Sequence, residues 1–150
     1  MTWRWTISLL AAAAILAADG ARGGGSDTGS IRFRPVHVYV DPGGAALAAY
    51  QIEIVVEGSG AIVGVEGGAD PAFHLPPHYD PAALADDRII LAAFDTHATL
   101  PTQRTRVATV QMRETGSAEP TYRATLQIAG GPDARPIDAT VTLEPDEGDR

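Results

Sequence analysis

The sequence of 150 residues contains no cysteine and no lysine. Without cysteine, the chain has no disulfide framework, no thiolate zinc site, no cysteine nucleophile and no cysteine to carry a lipid anchor. Its fold must therefore be stabilised by its core alone. The 11 basic residues are all arginine and face 19 acidic residues, which gives a formal net charge of −8. Because nucleic acids and anionic lipid surfaces require a basic patch, this balance argues against both as partners.

The sequence also lacks an apolar run long enough to span a bilayer. Its longest uncharged apolar segment, residues 6–18, follows Arg4 and is shorter than the about 20 residues that a spanning helix needs. This pattern is typical of a secretory signal peptide. We therefore predict a signal peptide at residues 1–18, a secreted, periplasmic or cell-surface protein, and no membrane insertion after cleavage. An uncleaved N-terminal anchor is the alternative. Both tryptophans, Trp3 and Trp5, would be removed with this segment.

The remaining sequence has the pattern of a β-protein. A Gly- and Ser-rich leader at residues 19–30 precedes short apolar runs that are separated by turn clusters, and no window shows a helical apolar period. The predicted strands are residues 31–40, 47–57, 61–66, 88–94, 104–113, 122–129 and 137–144. Because each strand would leave one apolar face wet in a single open sheet, we predict an all-β fold, a two-sheet antiparallel β-sandwich over residues 31–144. An acidic tail, residues 145–150, follows.

The alternation of apolar and polar residues also predicts which side chains face the core. Residues 88–94 are almost continuously apolar, which predicts a strand covered on both faces, with Phe94 buried. In residues 104–113, Val107 lies off the parity of Ala108, Val110 and Met112, which indicates a bulge and leaves the inward face of this run unassigned. The last two runs are separated by a Gly-Gly-Pro-Asp turn and are predicted to form a hairpin. In the sixth run, the residues predicted to face inward are Tyr122, Ala124, Leu126 and Ile128.

Three segments carry a resemblance to a known superfamily. They are VHVYVDPGG followed by LAAYQIEIVVEG (residues 36–58), VGVEGG (63–68) and TRVATVQMRETG (105–116). Their strand-and-turn patterning resembles the cohesin-like and carbohydrate-binding-module-type β-sandwiches of extracellular bacterial proteins, over most of residues 36–143. The resemblance implies a jelly-roll sandwich of about nine strands and a role in non-covalent recognition. A dockerin-type module is a partner class that it suggests, and it assigns no binding residue.

The longest interruption of the strand pattern, residues 67–87, is the candidate site. Loops of this length are usually either functional or mobile, and the four prolines in this one favour an ordered conformation. Asp80 followed by Pro81 is typical of the start of a short helix. The alternative is that the apolar residues of the loop fold inward and cap the sandwich. The residues predicted to form a recognition surface are Phe73, His74, His78, Tyr79 and Asp80.

Metal binding is a weaker hypothesis for the same loop. His74 and His78 are four residues apart and Asp80 is near them, but Pro76 and Pro77 exclude the helix that would bring the two imidazoles together. We therefore predict no cofactor and no transition-metal site. Calcium is left open, without EF-hand spacing. The carboxylates that could bind it are those of Asp70, Asp80, Asp86 and Asp87.

Catalysis and sugar binding find less support in the sequence. Residues 95–97 (Asp-Thr-His) are similar to part of a hydrolytic triad, but no serine lies in a Gly-x-Ser-x-Gly context. Sugar stacking needs large exposed rings, and the mature chain would offer only Tyr39, Phe73 and Tyr79. We therefore predict a secreted, non-catalytic module that binds an extracellular protein. A carbohydrate-binding module that takes a polysaccharide is the alternative.

Overall fold

The structure, a computed structural model, describes residues 29–96 and 99–147. The described residues contain seven strands, where the resemblance implies about nine. The strands are β1 (Ile31–Asp41), β2 (Ala49–Glu57), β3 (Gly60–Gly67), β4 (Arg88–Phe94), β5 (Thr105–Thr115), β6 (Thr121–Gly130) and β7 (Thr140–Pro145). One antiparallel sheet has the strand order β3-β5-β1-β7 and the other has the order β4-β2-β6, which confirms the predicted two-sheet β-sandwich.

The predicted signal peptide, residues 1–18, lies outside the described residues, as do most of the predicted leader and the last three residues of the predicted tail. None of the helices in residues 29–96 and 99–147 has the length and apolarity that a membrane-crossing segment requires.

The core lies between the two sheets, and most of its buried side chains come from β1, β2 and β5. In β1 and β2 the pattern is the simplest. Their side chains alternate between buried and partly exposed, as the period-two pattern predicts. Full burial of each aliphatic side chain contributes about 1.5–3 kcal/mol, which explains how the chain forms a core without disulfides. The residues of these two strands that are at most 2% exposed are Val36, Val38, Val40, Tyr50, Ile52, Ile54 and Val56.

The predicted bulge in β5 is present. Val38 of β1 pairs with Ala108, whereas Tyr39 pairs with Arg106, so Val107 is the extra residue on β5. An extra residue in one strand lets two consecutive side chains leave the strict alternation. Both Val107 and Ala108 are buried as a result.

The predicted hairpin of the last two strands is wrong. β6 pairs with β2 and β7 pairs with β1, so the two strands belong to different sheets. The connection, residues 131–139, contains Pro132 and Pro136, which have no N–H to donate to a continued ladder. It instead leads the chain across to the unpaired edge of β1. There the side chains of Val141 and Leu143 pack against the core.

The long loop (residues 68–87) closes one lateral side of the sandwich. Ala85 donates to the carbonyl of Ile62 on β3 at 2.6 Å, and Ile62 donates to the carbonyl of Asp86 at 2.9 Å. On β4, the backbones of His78 and Ala92 exchange hydrogen bonds of 2.8 and 2.9 Å. The loop therefore satisfies backbone groups on the outer edges of both sheets.

The predicted helix start at Asp80 is confirmed, in the form of a single 3-10 turn, Pro81–Ala83. The carboxylate of Asp80 accepts a hydrogen bond of 2.9 Å from the N–H of Ala82. An equivalent cap that the sequence analysis missed joins Asp70 to Ala72 at the turn Pro71–Phe73. Aspartate before proline serves both turns because its carboxylate accepts an otherwise free N–H while proline presets φ.

Gly67 is required where the loop leaves β3. A Cβ at this position would overlap the carbonyl group of His74, which is backbone and cannot move aside. We expect Gly67→Ala to lower the free energy of unfolding by about 2 kcal/mol, because overpacking a closed site forces the backbone apart. Chemical denaturation with Gly64→Ala as the matched control tests this. A Cβ at Gly64 on the same strand would lie 3.5 Å from Gln111, an ordinary contact. Equal stability of the two variants would contradict the prediction.

Candidate binding surface

The outer face of the three-stranded sheet has a charged end and an apolar end. At the charged end, Arg88 pairs with Glu53 and Arg123 with Glu57, so these charges are matched within the face itself. At the other end, Ala49 lies in the central strand, between β4 and β6. The charged side chains of the charged end already have partners on the same face. A binding partner would therefore pay the smallest desolvation penalty at the apolar end.

Phe94 is the largest side chain of the apolar end, and the prediction that it is buried is wrong. It closes β4 and is 70% exposed. β4 is an edge strand on which Ile89 and Leu91 face the core, while Phe94 has the opposite parity. The strand is therefore not covered on both faces as predicted, because its outer face is open where the run ends.

Ile128 is the second large side chain of this end, and the prediction that it faces inward is wrong. On β2, Gln51 pairs with Ile128 but the next residue, Ile52, pairs with Leu126. Gln127 is therefore the extra residue of a bulge, which reverses the parity of the strand beyond it. Ile128 consequently lies on the outer face, 53% exposed.

The apolar end is concave because small residues separate its large ones. Across the sheet, Phe94 pairs with Ala49, which pairs with Gly130. The alanine and the glycine add almost no volume between Phe94 and Ile128. These residues line a groove of about 740 Å³ that continues along the β6–β7 connection. The side-chain amide of Gln51 donates to that of Gln127 at 2.7 Å beside it, which offers a partner hydrogen-bonding groups at the apolar rim.

Phe94 joins this groove to a second depression, formed with the long loop. This depression has a volume of about 390 Å³ and is also lined by Leu75, which is 66% exposed. Leu75, Phe94 and Ile128, here called the apolar stripe, are three of the five large apolar side chains that are exposed in the described part of the chain. The other two, Ile31 and Phe33, lie at the start of β1.

The structure assigns different positions to the five predicted site residues. Phe73 is only 2% exposed and packs against Tyr50, with ring centroids 5.3 Å apart; its prediction as a surface anchor is wrong. Burial raises the pKa of Tyr50, whose neutral hydroxyl donates to the carbonyl of Val107 at 3.2 Å. Tyr79 is half-buried against the core. The alternative in which the loop's rings fold inward thus describes both aromatic residues.

The three polar residues of the predicted site remain accessible. His74 and His78 are exposed and line the 390 Å³ depression beside Phe94. The Nδ1 atom of His74 donates to the carbonyl of Pro71 at 2.6 Å, which fixes the ring over the turn. Asp80 is exposed, but its carboxylate caps the turn that follows. The predicted loop therefore contributes two imidazoles to the surface, and its large rings belong to the core.

The described residues contain no group of three or more His, Asp or Glu side chains that could hold a metal ion. Of the four carboxylates considered for calcium, those of Asp70 and Asp80 already accept backbone N–H groups. The His97 of the partial triad lies outside the described residues.

Tyr39, one of the predicted sugar platforms, is covered on the outer face of the four-stranded sheet. The guanidinium of Arg104 lies 3.8 Å from the ring centroid of Tyr39 and is held there by an ion pair with Glu144. A cation over an aromatic face is itself a favourable contact. A sugar would have to displace it before it could stack on this ring.

A buried ionic cluster lies at the end of the sandwich away from the apolar stripe, and the sequence analysis missed it. Glu114 of β5 is 1% exposed and binds Arg32 at 3.0 Å and Arg34 at 3.3 Å. It also accepts a hydrogen bond from Tyr122. Burial, together with this hydrogen bond, raises the pKa of Tyr122. The only sequence signal was the parity of the arginines, which share the inward face of β1 with Val36.

No family model, no curated protein and no solved structure matches the chain. A proposal for the function therefore rests on the geometry and composition of the surface.

Proposed function

We propose that the protein is a secreted, non-catalytic recognition module that binds another extracellular protein through the apolar stripe. The observation that carries this proposal is the grouping of Leu75, Phe94 and Ile128 around two connected depressions. Apolar side chains grouped around a concavity are typical of interaction sites. The cohesin-like resemblance, which implies non-covalent recognition, supports the same class of function, and a dockerin-type module is a partner class to test first.

The surface has the composition expected for a protein interface. Phe94 and Ile128 form an apolar centre, and the amides of Gln51 and Gln127 supply a polar rim. Interfaces of this kind combine a desolvated apolar core with a solvated polar border. The imidazoles of His74 and His78 extend the polar border on the side of the long loop.

The experiment is affinity capture from the secreted fraction of the producing cells, with the double variant Phe94→Ser, Ile128→Ser as the test. Because both side chains are exposed, we expect folding to be unaffected and binding of the captured partner to weaken at least about tenfold, as for interface hot spots. The chain offers a matched control, Ile31→Ser, Phe33→Ser, which removes the same two residue types at the other end of the sandwich. Equal binding by both double variants would refute the proposed surface.

A polysaccharide is the alternative ligand, and the exposed ring of Phe94 is the observation that favours it. Phe94 could stack on a sugar face, whereas Tyr39 is covered by Arg104 and Phe73 is buried. Retention of the protein on insoluble polysaccharide, lost in Phe94→Ser and kept in Phe33→Ser, would favour the sugar. Retention that is equal in both variants would argue against it.

A further inference from the structure

The two lateral sides of the sandwich differ in how their strand edges are covered. On one side, the long loop hydrogen-bonds to β3 and β4. On the other side lie β6 and β7, the edge strands of the two sheets, which contact each other. Near the end of β6, the N–H of Ile137 donates to the carbonyl of Ala129 at 3.0 Å, and Gly130 forms a bridge with Pro136. Within the described residues, no other backbone hydrogen bond covers the outer edge of β6. Unpaired strand edges of this kind are templates for pairing with another chain.

The register shows which groups of β6 point to this free edge. The N–H of Val56 donates to Asp87, on the β4 side of β2. Because alternate residues of an antiparallel strand bond to opposite sides, Val56, Ile54 and Ile52 all bond towards β4. Their partners on β6 therefore turn their own N–H and C=O groups away from β2. These partners are Tyr122, Ala124 and Leu126.

Over residues 122–126, β6 lacks the features that normally block edge pairing. Such features are charged side chains that point inward, a proline within the strand, a very short strand or a β-bulge. The bulge of β6 lies beyond this stretch, at Gln127. Residues 124–130 contain no charge and no proline, and Arg123 on the outer face is bound to Glu57. β7, the other open edge, is shorter and ends at Glu144 and Pro145. Of the two open edges, β6 is therefore the one suited to pairing.

We propose that β6 pairs antiparallel with β6 of a second copy of this chain, around a two-fold axis at Ala124. In this register Tyr122 lies opposite Leu126 of the second copy, and Arg123 lies opposite Thr125. No like charges meet, and the half-buried inward side chains of each copy cover those of the other. The strand is thus complementary to itself in backbone pattern, charge and side-chain size, as an isologous interface requires.

This pairing is continuous with the apolar stripe. Residues on one face of a sheet stay on that face when the sheet is extended by edge pairing, so both copies present Phe94 and Ile128 on the same side. Two surfaces that face the same way can bind a repeated or surface-bound partner together, which raises the apparent affinity without any new contact type.

Ala124→Pro is the sharpest test, because it removes an N–H that points to the free edge and breaks no bond to β2. We expect the purified wild-type chain to sediment as a dimer, and we expect Ala124→Pro to raise the dissociation constant at least tenfold. Val141→Pro is the matched control. Asp146 donates to Pro35, so by alternation the N–H of Val141 points away from β1, and this variant should remain dimeric. Far-UV circular dichroism verifies that each variant is folded.

A wild-type chain that stays monomeric at every concentration up to its solubility limit would overturn the proposal, and so would a dimer that persists in folded Ala124→Pro. If Ala124→Pro does not fold, amide hydrogen exchange in the wild type decides. The N–H groups of Tyr122, Ala124 and Leu126 should exchange at least tenfold more slowly as concentration rises. Exchange rates that are independent of concentration would refute the paired edge. Neither measurement depends on the partner proposed for the apolar stripe.

Discussion

Phe73→Ala is expected to lower the free energy of unfolding by about 3–5 kcal/mol, the usual cost of truncating a buried phenylalanine. Its ring is 2% exposed and packs edge-on against Tyr50 of β2. Removing it leaves a cavity that the rigid turn Pro71–Phe73 cannot collapse to fill. It also loosens the contact that holds the long loop against the core. Urea denaturation followed by circular dichroism measures the change.

The chain provides a matched control for this truncation. Phe94→Ala removes the same atoms from a side chain that is 70% exposed, so its stability should stay within about 0.5 kcal/mol of the wild type. In partner capture we expect the opposite order: Phe94→Ala should weaken binding more than Phe73→Ala, because only Phe94 lies on the apolar stripe. A loss below about 1 kcal/mol for Phe73→Ala would mean that the ring is not part of the core.

The strands, and the inward faces of β1 and β2, could be predicted because they depend on local alternation. Val36, Val38 and Val40 must share one face of an extended chain wherever that chain lies. The bulge in β5 could be predicted for the same reason, because the change of parity at Val107 can be read from the sequence of that strand alone. Turn chemistry is equally local, and the cap at Asp80 followed from an aspartate placed before a proline.

The candidate surface could not be predicted because it depends on pairing between distant residues. Whether Ile128 faces in or out is decided by the extra residue Gln127 opposite β2, and nothing in the alternation of β6 marks that position. Phe94 ends an apolar run that would look the same in a central strand. Phe73 has the apolarity of a surface anchor and of a core residue alike, and its contact with Tyr50 decides between them.

The ionic cluster could not be predicted either, because it also depends on pairing between distant residues. Arg32 and Arg34 lie at positions of β1 whose side chains point inward. The alternation rule expects apolar residues at such positions. The two arginines are accommodated because β5 pairs Glu114 with Arg32 at the end of the sandwich, where the guanidinium groups still reach solvent. Long side chains can bury their stems while their charged heads stay hydrated.

Glu114→Ala is expected to lower the free energy of unfolding by about 3 kcal/mol, because removal of one partner of a buried ion pair leaves the other without compensation. Arg34, which is 21% exposed, keeps its bond to the exposed Glu119, whereas Tyr122 loses its acceptor. The expected loss lies at the lower end of the range for buried pairs because both arginines can rehydrate in part. Urea denaturation with Glu144→Ala as the control measures it.

Glu144 also pairs with an arginine, Arg104, but both partners are exposed, and such pairs contribute about 0–1 kcal/mol. Glu114→Ala should therefore cost several times more than Glu144→Ala, and the difference should persist at high salt, since screening acts mainly on exposed pairs. Tyr122→Phe separates the two parts of the cluster, because it removes the hydrogen bond to Glu114 and keeps both arginines. If Glu114→Ala and Glu144→Ala prove equally mild, Glu114 contributes no more to stability than an exposed carboxylate, and the start of β1 must be held by its backbone ladder with β5 alone.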